Sequence, residues 1–217
     1  MGESIKRIVG PYQDSYSPNG IIGEKDACGV GFIANVKGIE SNWILKQSLK
    51  GLNCMEHRGG CGGDSDSGDG AGILCSIPWQ YLDAELDIQN KQLYNRGLGM
   101  VFMPNKKEKI EECKSICDQE AEKLKINKTS WRTVPVNHEI LGPLAKSNAP
   151  FISQWILYMD KKNQQDIERL LFQLRKRIEK KIRETFKNHV GDCEFYFASL
   201  SSQTVVYKGM VRSEILS

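Results

Sequence analysis

The chain has 217 residues, of which 40% are hydrophobic and 26% charged, enough for one large domain or two small ones with a sizeable core. A net charge of +3 is too weak for a nucleic-acid surface, which needs concentrated basic residues, and no apolar run approaches the length of a membrane span. Seven cysteines, odd in number and without the spacing of a small secreted scaffold, predict free thiols in a reducing compartment such as the cytoplasm.

Residues 1–27 differ from the rest. Tyr12, Asp14, Ser15, Tyr16, Ser17, Pro18, Asn19 and Gly20 form a polar, turn-prone run without periodicity. No apolar signal core is present, and Glu3, Asp14, Glu24 and Asp26 do not suit an acid-poor transit peptide. The segment reads as an extended leader ahead of residue 28.

Asp26-Ala27-Cys28-Gly29-Val30-Gly31-Phe32-Ile33-Ala34 places a cysteine before two glycines and an apolar run. Val30 to Ala34 predicts a buried strand that holds Cys28 at its start. Two roles compete for Cys28. A free cysteine is usually a small buried hydrophobe. A thiolate is also a strong nucleophile, and a neighbouring glycine lets a substrate backbone come close. Cleavage before Cys28 would add an α-amine with a pKa of about 8, a built-in general base. Loss of Met1 alone leaves Cys28 internal, so its exposure needs a further cut. Attack of its thiol on the Ala27 carbonyl is one route.

Ser41 is placed to cap a helix over residues 42–55, with Ile44, Leu45, Ser48, Leu49 and Leu52 on one face. Gly51 weakens it slightly. This helix is expected to cover one side of the Cys28 strand.

A glycine-dense stretch follows, Cys54-Met55-Glu56-His57-Arg58-Gly59-Gly60-Cys61-Gly62-Gly63-Asp64-Ser65-Asp66-Ser67-Gly68-Asp69-Gly70-Ala71-Gly72. Such density predicts a tight loop with several positive-φ positions. Cys54, His57 and Cys61 suggest zinc ligands, but a fourth partner at suitable spacing is missing. A calcium loop starting at Asp64 fails, because its sixth position is Asp69 rather than glycine and its twelfth is Cys75 rather than glutamate. No Gly-Lys-Ser/Thr follows, as a phosphate loop requires. Gly29-x-Gly31-x-x-Ala34 lacks the strand before it and the helix after it that a dinucleotide fingerprint needs. The remaining role is the wall of the Cys28 site. There Arg58 supplies a fixed positive charge that favours a thiolate or a neutral amine, and Gly59 and Gly60 leave room for a small polar substrate. The plainer alternative for Arg58 is a surface salt bridge of little value.

Downstream, residues 96–103, 131–137 and 152–159 read as strands. Residues 107–125 read as a helix with Ile110, Cys113, Cys117, Ala121 and Leu124 inward, which makes Cys113 and Cys117 core residues rather than metal ligands. A long helix over 164–187 carries the stripe Ile167, Leu170, Leu171, Leu174, Ile178 and Ile182. Its Arg175, Lys176, Arg177, Lys180, Lys181 and Arg183 read mostly as a solvated face. Residues 194–200 and 203–207 predict a hairpin turning at Ser201-Ser202. His138 and His189 have no partner by sequence and are given no role.

Cys28-Gly-Val-Gly-Phe-Ile-Ala, then His57-Arg58-Gly59-Gly60, then Asp66-Ser-Gly-Asp-Gly-Ala-Gly72 resemble the amino-terminal class II glutamine amidotransferase domain of the glutamate synthase large chain. Order, spacing and flanks agree across about residues 25–79. Gly142-Pro143-Leu144-Ala145, Pro150-Phe151-Ile152-Ser153-Gln154 and the stretch from Ser199 to Met210 extend the likeness nearly end to end. Cys54-Met55-Glu56-His57-Arg58-Gly59-Gly60-Cys61 is nearer the ferredoxin-dependent branch than the NADPH-dependent one.

The resemblance implies an α+β, four-layer αββα N-terminal nucleophile hydrolase fold, with residues 1–27 as leader and residues 28–217 as the amidotransferase domain. It implies L-glutamine as substrate, Cys28 as nucleophile, and Arg58, Gly59 and Gly60 as the substrate-site wall. Ammonia would pass to 2-oxoglutarate in the rest of the synthase chain. FMN, an iron–sulfur cluster and ferredoxin belong to that later region, with no cofactor, metal, nucleic acid or membrane expected here. The compartment would be the cytoplasm or a plastid stroma. The family's His-Asn-Gly-type oxyanion segment lies beyond the Tyr-Lys-Gly stretch, whereas the only Asn-Gly here is Asn19-Gly20. Loss of one oxyanion donor costs about 10²–10³ in rate. The expectation is therefore a carboxy-terminally truncated piece with little glutaminase activity alone and an exposed sheet edge. Two further classes stay open: a Cys54/His57/Cys61 metal module, and a non-catalytic partner domain of the same fold.

Overall fold

The computed structural model describes residues 29–55, 67–68, 70–86, 95–126, 128–160, 163–186 and 195–216. In chain order the elements are α1 (Asn42–Cys54), β1 (Ala71–Ser76), α2 (Trp79–Glu85), β2 (Asn95–Met103), α3 (Lys107–Lys123) and β3 (Lys128–Thr133). A 3-10 turn (His138–Ile140), α4 (Pro143–Ser147), β4 (Phe151–Met159), α5 (Gln164–Thr185), β5 (Tyr196–Ser201), β6 (Thr204–Gly209) and α6 (Ser213–Leu216) complete it.

β2 and β4 form the centre. Each is buried along its last seven residues, so neither shows the apolar–polar alternation of a half-exposed strand, although β4 carries the buried polar pair Ser153-Gln154. They pair antiparallel from Asn95↔Met159 to Met103↔Phe151. β3 joins β4, and β5 joins β2, giving the order β3-β4-β2-β5. β1 and β6 form a separate antiparallel pair, from Ala71↔Gly209 to Ser76↔Thr204.

Strand alternation sends side chains to two cores. On one face, Val101, Met103, Trp155, Leu157 and Met159 pack with Cys113 and Cys117 of α3 and with Leu171, Leu174 and Ile178 of α5. On the other, Leu98, Met100, Phe102, Ile156 and Tyr158 meet Val205 of β6, with Cys75 of β1 at the margin. The two antiparallel sheets thus face one another, and α3 and α5 lie behind the larger. α1 and α6 contact β1 and each other.

The helices form where the periodicity places them. Ser41 caps α1 by accepting from the Ile44 N–H at 3.3 Å, and Asn163 caps α5 by accepting from the Asp166 N–H at 2.9 Å. Polar ties fix the helices to the sheet. Asp118 of α3 accepts from the indole N–H groups of Trp131 (3.1 Å) and Trp155 (3.0 Å) and from the Thr129 hydroxyl (2.9 Å). Glu120 bridges Lys123 and Arg177, joining α3 to α5. Arg175 is half-buried rather than solvated, and donates to Glu179 and to the Phe197 carbonyl.

Three expectations need correction. Val30 to Ala34 are not in a strand, and Val30 and Phe32 are 89% and 94% exposed. The run has strand composition, but among the described residues it has no ladder partner for its backbone groups. α1 accordingly packs on β1 and α6, not on such a strand. The third strand lies at Lys128–Thr133 rather than over 131–137, because after the Val134 N–H donates to the Ile152 carbonyl the chain leaves the sheet. β5 and β6 are not a hairpin: the chain switches sheets at Ser202-Gln203. Glu168 of α5 holds that corner by accepting from the Ser202 N–H (2.8 Å), the Ser202 hydroxyl (2.6 Å) and the Ser201 hydroxyl (3.2 Å). Short-range turn signals cannot distinguish a hairpin from such a corner, because the deciding partners, β2 and β1, are distant in sequence.

Leu174→Ala removes a fully buried side chain and is expected to cost about 2–5 kcal/mol by urea unfolding. Phe172→Ala, on the exposed side of α5, should stay within about 0.5 kcal/mol. Equal losses in the two variants would contradict the packing described. Burial alone would raise the Glu120 carboxyl, but hydrogen bonds from Lys123 and Arg177 hold it below its ordinary value. A lowered folded pKa stabilises above the unfolded pKa of about 4.3 and is lost as pH falls through the lower folded value. The stability gap between wild type and Glu120→Gln should therefore be full at neutral pH and close below that range. A gap unchanged by acid would refute the ion-pair account.

Candidate active site

Cys28, Arg58, Gly59 and Gly60 lie outside the described residues, as do His57 and Cys61. The structure describes the segments that lead into and out of them.

The residue after Cys28 packs on the end of α1. A Cβ added to Gly29 would stand 3.2 Å from the Met55 sulfur and 3.4 Å from the Met55 Cβ. Met55 is the C-cap of α1, where its N–H donates to the Leu52 carbonyl. It directly precedes Glu56-His57-Arg58. Gly29, the residue after the candidate nucleophile, therefore lies close beside the Met55 side chain, with little room for a side chain of its own. The helix predicted between the two motifs ends with Met55 beside Gly29. The turn of the chain at Gly38, whose φ is +67°, starts that return.

The exit of the loop is pinned just as closely. Ser67 is fully buried, and its hydroxyl accepts from the Ala145 N–H at 3.0 Å. A Cβ on Gly68 would lie 2.7 Å from the backbone of Val211 and Arg212, and one on Gly72 would lie 2.9 Å from the Lys208 Cβ. At these two glycines the space is filled by β6 and its continuation. Room for substrate remains an argument for Gly59 and Gly60 only.

A buried polar group of side chains, not foreseen from sequence, occupies the inter-sheet core. Gln154 of β4 is 1% exposed. Its amide donates to the Tyr207 hydroxyl at 3.3 Å, and its carbonyl accepts from Arg132 at 2.9 Å. Arg132 also holds Glu85 of α2 through two nitrogens. Hydrogen bonds from Arg132 and then Tyr81 lower the Glu85 carboxyl below its usual range. Burial raises the Tyr207 hydroxyl and the Cys75 thiol above theirs, so both are neutral at physiological pH. Buried polar groups of this kind fix register only when satisfied, and Gln154 uses both ends of its amide. The signal in sequence was Gln154 itself, a polar residue inside the apolar run from Phe151 to Met159. Gln154 and Tyr207 come from two of the segments that carried the resemblance.

Of the candidate zinc ligands, Cys54 is exposed at the end of α1. Among the described residues no group of three or more His, Cys, Asp or Glu side chains could hold a metal ion. Cys113 and Cys117 are buried in the α3 core as predicted, and burial pushes the Cys117 thiol well up. No helix among the described residues is long and apolar enough to cross a membrane.

The family model of class II glutamine amidotransferases matches residues 28–217. Chloroplastic ferredoxin-dependent glutamate synthase from Oryza sativa subsp. japonica is 45% identical over 213 residues, which are 95% of this chain and 13% of that protein. The chloroplastic enzyme of Spinacia oleracea is 42% identical over 200 residues, 90% of this chain and 12% of the relative. The ferredoxin-dependent glutamate synthase of Pyropia yezoensis is 40% identical over 219 residues, 100% of this chain and 14% of the relative. The chain thus spans about an eighth of the length of these relatives. With a match that opens at Cys28 and continues through the β6 stretch, the chain belongs to the class II glutamine amidotransferases.

Proposed function

We propose that this chain is the glutamine-hydrolysing part of a ferredoxin-dependent glutamate synthase. The observation that carries the reading is the Gly29–Met55 contact. It joins the backbone following Cys28 to the residue that opens Glu56-His57-Arg58. In this reading residues 1–27 are a removed leader and residues 28–217 the catalytic domain. The fold is the four-layer αββα arrangement of the N-terminal nucleophile hydrolases. The facing sheets, the α3/α5 layer and the contacts of α1 and α6 with β1 support it.

The chemistry follows from the residue types. The Cys28 thiol passes its proton to its own α-amine, and the sulfur attacks the side-chain carboxamide carbon of L-glutamine. Arg58 holds a positive charge beside that pair, favouring the thiolate and the neutral amine. Collapse of the tetrahedral adduct breaks the C–N bond, with the proton delivered to the departing nitrogen, so ammonia leaves. Water then attacks the thioester, releasing glutamate and restoring the thiol. Ammonia goes on to 2-oxoglutarate in the remainder of the synthase chain. That remainder would also hold FMN and an iron–sulfur cluster and receive electrons from ferredoxin. No step of the hydrolysis uses either cofactor. The setting would be a plastid stroma or the cytoplasm.

Intact mass after treatment with a glutamine-analogue electrophile tests the reading on the longer synthase chain. The expected product lacks residues 1–27 and carries one adduct, which is absent in Cys28→Ala. An intact leader with no adduct would remove catalysis from the proposal. Gly68→Ala forces a side chain into the Val211–Arg212 backbone. It should destabilise the domain by more than about 1 kcal/mol on thermal unfolding, whereas Gly51→Ala, in open space on α1, should not. Equal melting temperatures for the two would contradict the close approach.

A further inference from the structure

We infer that the open edge of β3, with the groove between it and α3, takes up an extended basic segment of another protein as an added antiparallel strand.

An edge strand leaves one row of backbone N–H and C=O groups unpaired, and an extended peptide can complete that row. Among the described residues β3 pairs only with β4. In an antiparallel pair, residues that exchange hydrogen bonds with the neighbour alternate with residues whose N–H and C=O point away from it. The Val134 N–H donates to the Ile152 carbonyl, so the even-numbered positions of β3 turn toward β4. Thr129, Trp131 and Thr133 therefore direct their backbone groups outward. Charged side chains commonly guard such an edge. Those of β3 sit on the inter-sheet face instead. Lys128 lies 4.9 Å from the Tyr158 ring, and Arg132 is held by Glu85 and Gln154. The α3 side of the edge carries neither.

On that side a groove of about 680 Å³ runs between β3 and α3. Thr129 and Trp131 line it from the strand, and both donate to Asp118 of α3, which fixes the two walls together. The helix wall carries Glu111, Asp118 and Glu122 against one cation, Lys114. Lys114 is already engaged. Its ammonium is 3.3 Å from Glu111, 5.8 Å from the Trp131 ring and 5.6 Å from the Phe151 ring. Glu122 is exposed near the end of α3 and has no salt bridge among the described residues. The surplus of carboxylates selects a basic occupant, and the open edge selects an extended one. Nucleic acid has the wrong sign of charge. A residue opposite Trp131 in an added strand shares its face, so its side chain enters the groove. The same residue exchanges backbone hydrogen bonds with Trp131. The residues that place positive charge in the groove are thus the ones whose N–H groups bond to β3.

That coincidence supplies the test. The probe is a fluorescent synthetic peptide, Lys-Thr-Lys-Val-Lys-Thr-Lys, titrated against the longer synthase chain and followed by anisotropy. It should bind, and glutamates in place of its lysines should abolish binding. Methylating the lysine backbone amides removes the N–H groups that face β3 and should weaken binding about tenfold or more. Methylating the amides of the intervening residues should change it little. Glu122→Lys reverses a groove charge, and Thr133→Pro removes an outward N–H while sparing the β3–β4 ladder; both positions are exposed. Each substitution should weaken binding about tenfold or more. No binding to the wild-type chain, as when the rest of that chain or a second copy already covers β3, overturns the inference. Equal affinity for the two methylated peptides, or wild-type affinity in either variant, also overturns it. Peptide binding is read without glutamine, so failure of the glutaminase reading leaves this result untouched.

Discussion

The approach of two backbones at Gly68 and Gly72 is the constraint on which the site depends. Any side chain at Gly68 would collide with main-chain atoms of Val211 and Arg212, and main chain cannot move aside as a long side chain can. This contact joins residues far apart in sequence, and the β1–β6 ladder continues it to Ser76↔Thr204. The glycine-rich stretch therefore contains two kinds of glycine. Gly68 and Gly72 are glycine because β6 and its continuation occupy the space. Gly59 and Gly60 belong to the proposed substrate wall.

Around that ladder the fold builds outward. The four-stranded sheet is apolar on both faces, so it must be covered on both. α3 and α5 cover one face with Cys113, Cys117, Leu171, Leu174 and Ile178. The β1–β6 pair covers the other through Val205 and its neighbours. Polar links then set register within these layers. Asp118 gathers two indoles and a hydroxyl, Glu120 ties α3 to α5, and Gln154 joins Arg132 to Tyr207 across the inter-sheet core. Two of these links were present in the sequence only as oddities, a glutamate on an apolar face and a glutamine in an apolar strand.

For the site, the organising fact is that α1 returns the chain to where it began. Gly29, next after Cys28, lies beside Met55, the residue that precedes Glu56-His57-Arg58. Family membership gives that juxtaposition its chemical meaning. The polar residues Arg132, Glu85, Gln154 and Tyr207 are hydrogen-bonded to one another and tie α2, β3, β4 and β6 together.

Sequence by itself determined what depends on local periodicity and residue chemistry. α1 with its Ser41 cap, α3, α5 and the two long buried strands are legible because their patterns span ten or more residues or are continuously apolar. The family was legible in the order and spacing of the Cys28 and Arg58 motifs. Tertiary structure alone decided the rest. Val30 to Ala34 has the composition of a strand, yet among the described residues no partner strand takes its hydrogen bonds. β1 lay hidden in a glycine run, because its strand character comes from β6. The Ser201-Ser202 corner reads as a hairpin until β2 and β1 claim its two arms separately. Ser67 reads as a loop serine until α4, which lacks a cap of its own, is brought against it. In each case the deciding partner is distant in sequence, and short-range pattern carries no information about it.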